Sequence, residues 1–265
     1  MDESHIPYLE AAMEAARIGG AVLTEHAARA GSIAIDLKGV NDYVTEVDRA
    51  SERAIVSFLT ERFPDHSVIA EESPEQQRSR RFHWYIDPLD GTTNYIHGVP
   101  VYAVSVALAV DGQVAAGAVY DPTRQEMFHA IADGGAFLNR QRIHITERDS
   151  LQGALLATGF PFRAQSRLKE YLRSLETFIR ETAGIRRAGS ASLDLCYTAC
   201  GRFDGFWEMS LSAWDIAAGA LIVREAGGVT TDFLGRDGYL RTGNVVAANR
   251  RIHAAMLDII RQTMV

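Results

Sequence analysis

Apolar residues recur at helical spacing over residues 7–29, where Leu9, Met13, Ala16, Gly20 and Leu23 share one face of an expected amphipathic helix. Residues 46–62 repeat the pattern with Val47, Ala50, Ala54, Phe58 and Leu59. The period then shortens. Ser67–Ala70 and Trp84–Asp87 are short β-like runs, and each leads into acidic residues. Tyr102–Val110, Gln113–Tyr120 and Glu126–Ile131 follow as an expected antiparallel meander. Its turns carry Asp111-Gly112, a strong hairpin signal, and Asp121-Pro122.

The second half reads differently. Gly153–Thr158 and Phe203–Glu208 are strand-like, and Ser166–Ala183 and Ser190–Gly201 are helical. Trp214–Ala226 is an expected helix stopped by Gly227-Gly228; Asn244–Ala248 is a strand and Arg250–Gln262 a closing helix. An antiparallel α+β half thus precedes an α/β half. The boundary is expected near residue 148, giving units of 1–148 and 149–265. The fold class expected is α/β, with helices layered on sheets.

Composition narrows the function classes. The chain has 265 residues, 47% hydrophobic and 23% charged, which is globular rather than disordered. Lys+Arg number 27 against 34 Asp+Glu, a net charge of −7. Binding to nucleic acid draws its affinity from neutralised phosphates, so this balance argues against autonomous nucleic-acid binding. The first residues, MDESHIPYLE, carry acids and no basic stretch, so no signal peptide is expected. The longest apolar run, Val99–Val110, is broken by Pro100 and Ser105 and falls short of the ~20 residues that span a membrane. Cys196 and Cys200, the two cysteines, sit at i, i+4 as small buried hydrophobes rather than a redox pair. A cytoplasmic, reducing environment is the expectation.

Candidate chemistry concentrates in WYIDPLDGTTNYIHG at residues 84–98. Asp87-Pro88-Leu89-Asp90 has the residues of a type I turn, which would bring both aspartates and the Leu89 carbonyl toward one point. Two close carboxylates repel unless a proton or a cation intervenes, and an all-oxygen set suits Mg²⁺, Mn²⁺ or Ca²⁺ better than zinc. Gly91-Thr92-Thr93-Asn94 then offers backbone amides at a possible helix start, a phosphate cradle. In isolation, D-P-x-D-G is more often a ligand-free Asx turn.

Other carboxylates are weaker signals alone. Glu71-Glu72 before Ser-Pro is ordinarily a solvated loop, but follows a strand end. Ser212-Ala213-Trp214-Asp215 and Thr45-Glu46-Val47-Asp48 both read as capping boxes, so Asp215 and Asp48 can be plain caps. Lys38–Asp42 reads as a polar loop, either an ordinary surface segment or a lid. Arg186-Arg187 is a surface pair, an anion clamp or a subunit contact. The eight histidines are scattered singly, and no Walker, zincin, EF-hand or G-x-S-x-G motif occurs.

Taken together, W-x-I-D-P-L-D-G-T-T-N at 84–94, A-E-E-S at 70–73, D-Y-V-T-E-V-D at 42–48, G-S-A-S-L-D at 189–194 and W-D-x-A-A-G-x-L-I-x-x-E-A-G-G at 214–228 resemble the inositol monophosphatase family. The wording of the later segments is most similar to its bacterial extragenic suppressor subgroup. The resemblance implies a five-layer αβαβα sandwich, two to three Mg²⁺ ions per site, sensitivity to Li⁺ and a homodimer. It implies Glu71, Asp87 and the Leu89 carbonyl as ligands of one metal, and Asp87, Asp90 and Asp215 as ligands of a second. It further implies a phosphate contact by Gly91 and Thr92, and an attacking water oriented by Thr92 and Asp48 with Glu71 among the catalytic groups. Arg186, Gly189, Ser190, Ala191 and Glu208 would line the substrate pocket with Leu89, Asp90 and Asp215. The implied reaction is hydrolysis of inositol 1-phosphate or another small phosphorylated polyol. Fructose 1,6-bisphosphate, histidinol phosphate and phosphoadenosine phosphate are alternative substrates. A role in transcription antitermination, through RNA polymerase and its elongation factors, is the alternative of another class. Lys38 lies one residue closer to Asp42 than in animal members, so no role carries over to it.

Overall fold

The computed structural model describes residues 5–27, 35–39, 42–162 and 164–264, with 35–39 and 42–44 of the first hairpin described by their backbone alone. Helix α1 (Ile6–Ala27) precedes a hairpin of β1 (Ile35–Gly39) and β2 (Asp42–Thr45), which leads directly into α2 (Glu46–Arg62). Then come β3 (Ser67–Ala70), β4 (Phe82–Asp90), the short α3 (Thr92–Ile96), and β5 (Ala103–Val110), β6 (Gln113–Asp121), β7 (Glu126–Ile131), β8 (Gly135–Leu138) and β9 (Gln141–Ile143). The second half runs β10 (Leu155–Thr158), α4 (Leu168–Glu181), β11 (Gly184–Arg186), α5 (Ala191–Ala199), β12 (Gly205–Glu208), α6 (Ala213–Glu225), β13 (Val229–Thr231), α7 (Tyr239–Thr242), β14 (Val245–Ala248) and α8 (Arg250–Met264).

Seven strands form one sheet in the order β3-β4-β5-β6-β7-β8-β9, antiparallel except for the parallel β3–β4 pair. Five form a mixed sheet, β11-β10-β12-β14-β13, with β10 parallel to both its neighbours. Strand periodicity sorts the side chains into three cores. Trp84 and Ile86 of β4, with Val104, Val106 and Leu108 of β5, pack under Ala12, Ala15, Ala16 and Leu23 of α1 and Ile55 and Leu59 of α2. Ala103, Ala107, Val119 and Phe128 on the opposite face meet Leu193 and Leu195 of α5 and Ile216–Val223 of α6. The same helices cover Ala157, Phe206, Val245 and Ala247 of the second sheet. The alternate residues Leu156, Trp207, Val246 and Ala248 face outward onto Tyr171 and Phe178 of α4 and Ile252, Met256 and Ile260 of α8. The result is the expected five layers, helix–sheet–helix–sheet–helix.

Helix α6 shows why the middle layer forms. Residues 215–223 are all buried, as a helix apolar around its whole circumference must be between two sheets. At the β5–β6 hairpin, Asp111 (φ 51°) and Gly112 (φ 80°) both take the left-handed conformation that a tight two-residue turn demands. The structure also holds elements that the sequence pattern does not announce. β11, β13 and α7 are three or four residues long, too short to show a period. Of the expected polar loop at Lys38–Asp42, residues 40–41 lie outside the described residues; Lys38 and Gly39 instead end β1 and Asp42 opens β2, its antiparallel partner. The β-forming Tyr43-Val44-Thr45 accounts for that strand.

Candidate active site

The acidic segment is held by a bulge, not by the type I turn that its sequence suggests. β4 continues through Pro88 to Asp90. Asp87 pairs with Ser105 and Asp90 with Ala103, so β4 carries one more residue than β5 across this interval. Proline has no N–H for a ladder bond, and a bulge is one of the few sheet positions open to it. In a regular strand, residues i and i+3 point to opposite faces; the extra residue turns both Asp87 and Asp90 into one cleft. The Leu89 amide donates to Asp87 Oδ1 at 3.0 Å, and Ser51 Oγ of α2 donates to the Pro88 carbonyl at 3.0 Å.

Gly91 has φ 99°, and a Cβ there would lie 2.9 Å from the Val101 carbonyl oxygen, so only glycine fits between β4 and α3. Thr92 opens α3. Its hydroxyl lies 3.0 Å from Asp48 Oδ1 and 3.1 Å from the Leu89 carbonyl oxygen. Asp48 is the third residue of α2 and completes the expected capping box, its Oδ2 accepting from the Thr45 amide at 2.9 Å and from the Thr45 hydroxyl. Cap and site residue are thus one side chain. Burial raises the Asp48 carboxyl above its ordinary value, and the bonds from Thr45 and Thr92 oppose that.

The remaining carboxylates come from elsewhere in the chain. Glu71 follows β3, its amide donating to the Ile86 carbonyl of β4 at 3.3 Å. Its neighbour Glu72 instead turns its amide to Glu52 Oε2 at 2.7 Å and does not line the cleft. Asp215 is the third residue of α6; its Oδ2 accepts from the Ser212 amide at 2.8 Å, so this capping box faces the cleft directly. Asp90 is engaged by α5, its Oδ2 accepting from Ser190 Oγ at 2.7 Å, the Ser192 amide at 2.7 Å and Ser192 Oγ. Glu71, Asp87, Leu89, Asp90, Gly91, Thr92 and Asp215 all line a cleft of about 370 Å³.

Charge is the outstanding feature of this wall. Asp87 is 2% exposed. Burial, then the nearby Glu71, Asp90 and Asp215, push its carboxyl well above the ordinary carboxylate range. Burial also raises Asp90, against the bonds from Ser192 and Ser190. Such a group of acids calls for protons or cations. Its oxygen-only donor set, with the Leu89 carbonyl, fits a hard divalent ion. Among the described residues no three carboxylates are closed around a single point. A cation at this wall would offset the mutual repulsion of the carboxylates.

The opposite wall belongs to the second sheet. Gly189, Ser190 and Ala191 at the start of α5 line it, as does Glu208 at the end of β12. Asn94 of α3 ties the two walls, donating to Val101 O at 2.7 Å and Ala188 O at 2.9 Å. Gly159 after β10 faces Glu208 so closely that a Cβ would come within 1.8 Å of Oε1. Arg186 does not line the cleft: its exposed side chain turns to the Ile185 carbonyl at 3.1 Å. The lining arginine is Arg187, stacked 5.5 Å and 5.4 Å from the ring centres of Phe160 and Phe162. β11 carries Arg186 at the edge of the sheet, and the following residue is the one that reaches the cleft.

Gly159 and the aromatic pair Phe160 and Phe162 are among the lining residues that sequence reasoning misses, and Asp194 is named there only as the end of a motif, with no role. Asp194 left a signal as a lone acid inside the apolar run of α5, and Arg187 as half of the Arg186-Arg187 pair.

Known proteins resemble the chain along its whole length. It matches the inositol monophosphatase family over residues 6–264. The Nus factor SuhB of Pseudomonas aeruginosa is 47% identical over 260 residues, 96% of each chain. The crystal structure of extragenic suppressor protein suhB from Bartonella henselae superposes with a TM-score of 0.91 at 39% identity, covering 97% of this chain and 98% of that one. An inositol monophosphatase from Anabaena (Nostoc) gives 0.87 at 35% identity over 97% and 96%. Motifs, layered fold and cleft therefore agree, and the chain belongs to the inositol monophosphatase family.

Proposed function

We propose that the chain hydrolyses the phosphate monoester of a small polyol, with inositol 1-phosphate as substrate and Mg²⁺ as cofactor. The observation that supports this most is the convergence of Glu71, Asp87, Asp90 and Asp215 from three separate segments on one cleft, where burial and mutual repulsion leave Asp87 needing a cation. In this reading Glu71, Asp87, Asp90, Asp215 and the Leu89 carbonyl hold the metal. Divalent ions bound there neutralise phosphoryl charge, favour hydroxide over water and stabilise the leaving alkoxide.

The chain's own groups do the orienting. The Thr92 hydroxyl has one proton and two acceptors in reach, Asp48 Oδ1 and the Leu89 carbonyl. When it donates to Asp48, its oxygen lone pairs remain to accept a hydrogen bond from the attacking water. Asp48, shut behind Thr92 and raised by burial, is suited to take up proton density as the water attacks. Water enters in line at phosphorus and the bond to the alcohol oxygen breaks. Gly91 and Thr92 amides hold the phosphoryl oxygens. Glu208 and the Gly189–Ala191 turn face the leaving alcohol.

The test is phosphate release with Mg²⁺ from inositol 1-phosphate, fructose 1,6-bisphosphate, histidinol phosphate and phosphoadenosine phosphate, each with and without Li⁺. Fastest Li⁺-sensitive release from inositol 1-phosphate is expected. Preference for another ester would overturn the substrate, and no release from any would overturn the reaction class.

One observation favours a second reading. The P. aeruginosa relative is named a Nus factor, so we also propose a contact with the transcription machinery, RNA polymerase and its elongation factors. Capture of RNA polymerase by both the wild type and Asp90→Asn would support a surface role separate from the cleft. Capture by neither would contradict it.

A further inference from the structure

Asp194 is a buried acid that the fold does not use. It lies in the second turn of α5, four residues after the N-cap Ser190, and is 1% exposed. Its chain neighbours Leu193, Leu195 and Cys196 are fully buried in the central core. Position 194 would fit that setting best with an apolar side chain, since a buried polar atom without a partner is costly. No described residue donates a hydrogen bond to Asp194 Oδ1. The charged groups that bear on it are Glu208 and Asp90, both acidic, and Arg187. Asp90 is taken up by Ser190 and Ser192, and Arg187 is stacked on Phe160 and Phe162. Yet Asp194 lines the same cleft as Glu208. A partner from outside the chain is what the unsatisfied oxygen lacks.

We infer that Asp194 is a specificity-determining residue, which hydrogen-bonds a hydroxyl of the leaving alcohol on the α5–β12 side of the cleft, beside Glu208. This rests on the phosphatase reading above. It deepens that reading by setting the substrate class: an ester whose alcohol carries at least one further hydroxyl, besides the esterified oxygen, within reach of α5. A site built to bond a hydroxyl rejects an analogue that lacks it, because the buried partner is then left unpaired.

The test uses the full-length chain with Mg²⁺ and compares kcat/KM for inositol 1-phosphate with that for phenyl phosphate, whose leaving group carries no other hydroxyl. Asp194→Ala is expected to lower the ratio of the two about tenfold, chiefly through KM for inositol 1-phosphate. Asp194→Asn should recover most of the ratio, because the amide still offers an acceptor and donors. Asp194→Leu, an apolar side chain of similar size, guards against misfolding. It should melt at or above the wild-type temperature while showing the same loss of ratio. An acid that merely supported the fold would give the reverse, a lower melting temperature with an unchanged ratio. A ratio within twofold of wild type in folded Asp194→Ala or Asp194→Leu overturns the inference. Wild type that cleaves neither ester overturns the phosphatase reading and the inference with it, a result unlike an unchanged ratio.

Discussion

One wall of the cleft is built mainly on a short contiguous segment, Asp87 to Thr92, joined by Glu71 and Asp215, whereas the other is gathered from β10, α5 and β12. Both carry buried acids, but the acids are treated differently. On the first wall the chain supplies donors: the Leu89 amide to Asp87, α5 to Asp90, Thr45 to Asp48. What remains uncompensated there is net charge, which a cation answers. On the second wall Asp194 has neither charge balance nor a donor to Oδ1. What is missing there is a hydrogen-bond partner, which an alcohol answers. Under the proposed function, the contrast gives phosphate chemistry to one wall and selection of the alcohol to the other.

The largest effect should come from the first wall. Thr92→Val keeps the shape of the side chain but removes the hydroxyl between Asp48 and the Leu89 carbonyl. Turnover is expected to fall by about 10²–10³-fold with KM little changed, the pattern of a lost proton-handling group. A KM effect alone would move Thr92 to simple binding. Next, Gly159→Ala should drive the Glu208 carboxylate from its place, since the new Cβ would meet it at 1.8 Å. A loss of about 10- to 100-fold in kcat/KM for inositol 1-phosphate, with a smaller loss for phenyl phosphate, would sharpen the division between walls. Equal losses for both would erase it.

A third prediction concerns pH. The Asp87 carboxyl is raised above its ordinary value of 3.8, so the native protein keeps a proton that the unfolded chain has already released. Metal-free stability should therefore fall as pH rises from about 4 through the raised value, by at most about 1.4 kcal/mol per pH unit. Buried histidines act in the opposite sense. His253, lowered to about 4, adds stability as pH rises from there to 6.5, and its contribution is complete above that. Denaturation of Asp87→Asn beside wild type isolates the carboxylate: the variant's advantage should widen with pH when metal is absent and vanish with Mg²⁺. A constant difference would mean that Asp87 stays ionised. The smallest effect is expected from Ser212→Ala, about 1 kcal/mol of stability from the lost cap of α6, measured by urea unfolding. Activity should change little, because the bond that holds the Asp215 carboxylate comes from the backbone amide of residue 212, which alanine keeps.

How much of this was legible in the sequence follows the same division. The contiguous segment of the first wall is written in adjacent letters, so its acids, glycine and threonine could be picked out together. Even there the local geometry was misread: proline suggested a turn, and the partner strand β5, invisible in local sequence, made a bulge of it. The capping boxes of Asp48 and Asp215 were legible as caps, but that one backs Thr92 and the other faces the cleft depends on what packs opposite α2 and α6. On the second wall Arg186 and Arg187 look alike in sequence, and the edge position of β11 decides which reaches the cleft. Asp194 and Gly159 become meaningful only beside Glu208, which is distant from both in the chain. The layered fold was legible from long periods such as those of α1, α2 and α8, while β11, β13 and α7 are too short to carry one.

The central claim is that the carboxylates of the first wall hold divalent cations which phosphate ester hydrolysis requires. The most direct test is phosphate release from inositol 1-phosphate across a Mg²⁺ titration, for wild type and Asp90→Asn side by side. The account predicts release by wild type that rises from zero with Mg²⁺ and saturates, and release by Asp90→Asn lower by about 10²-fold or more at every concentration. Release without any divalent ion, or equal release by a folded Asp90→Asn, would contradict it.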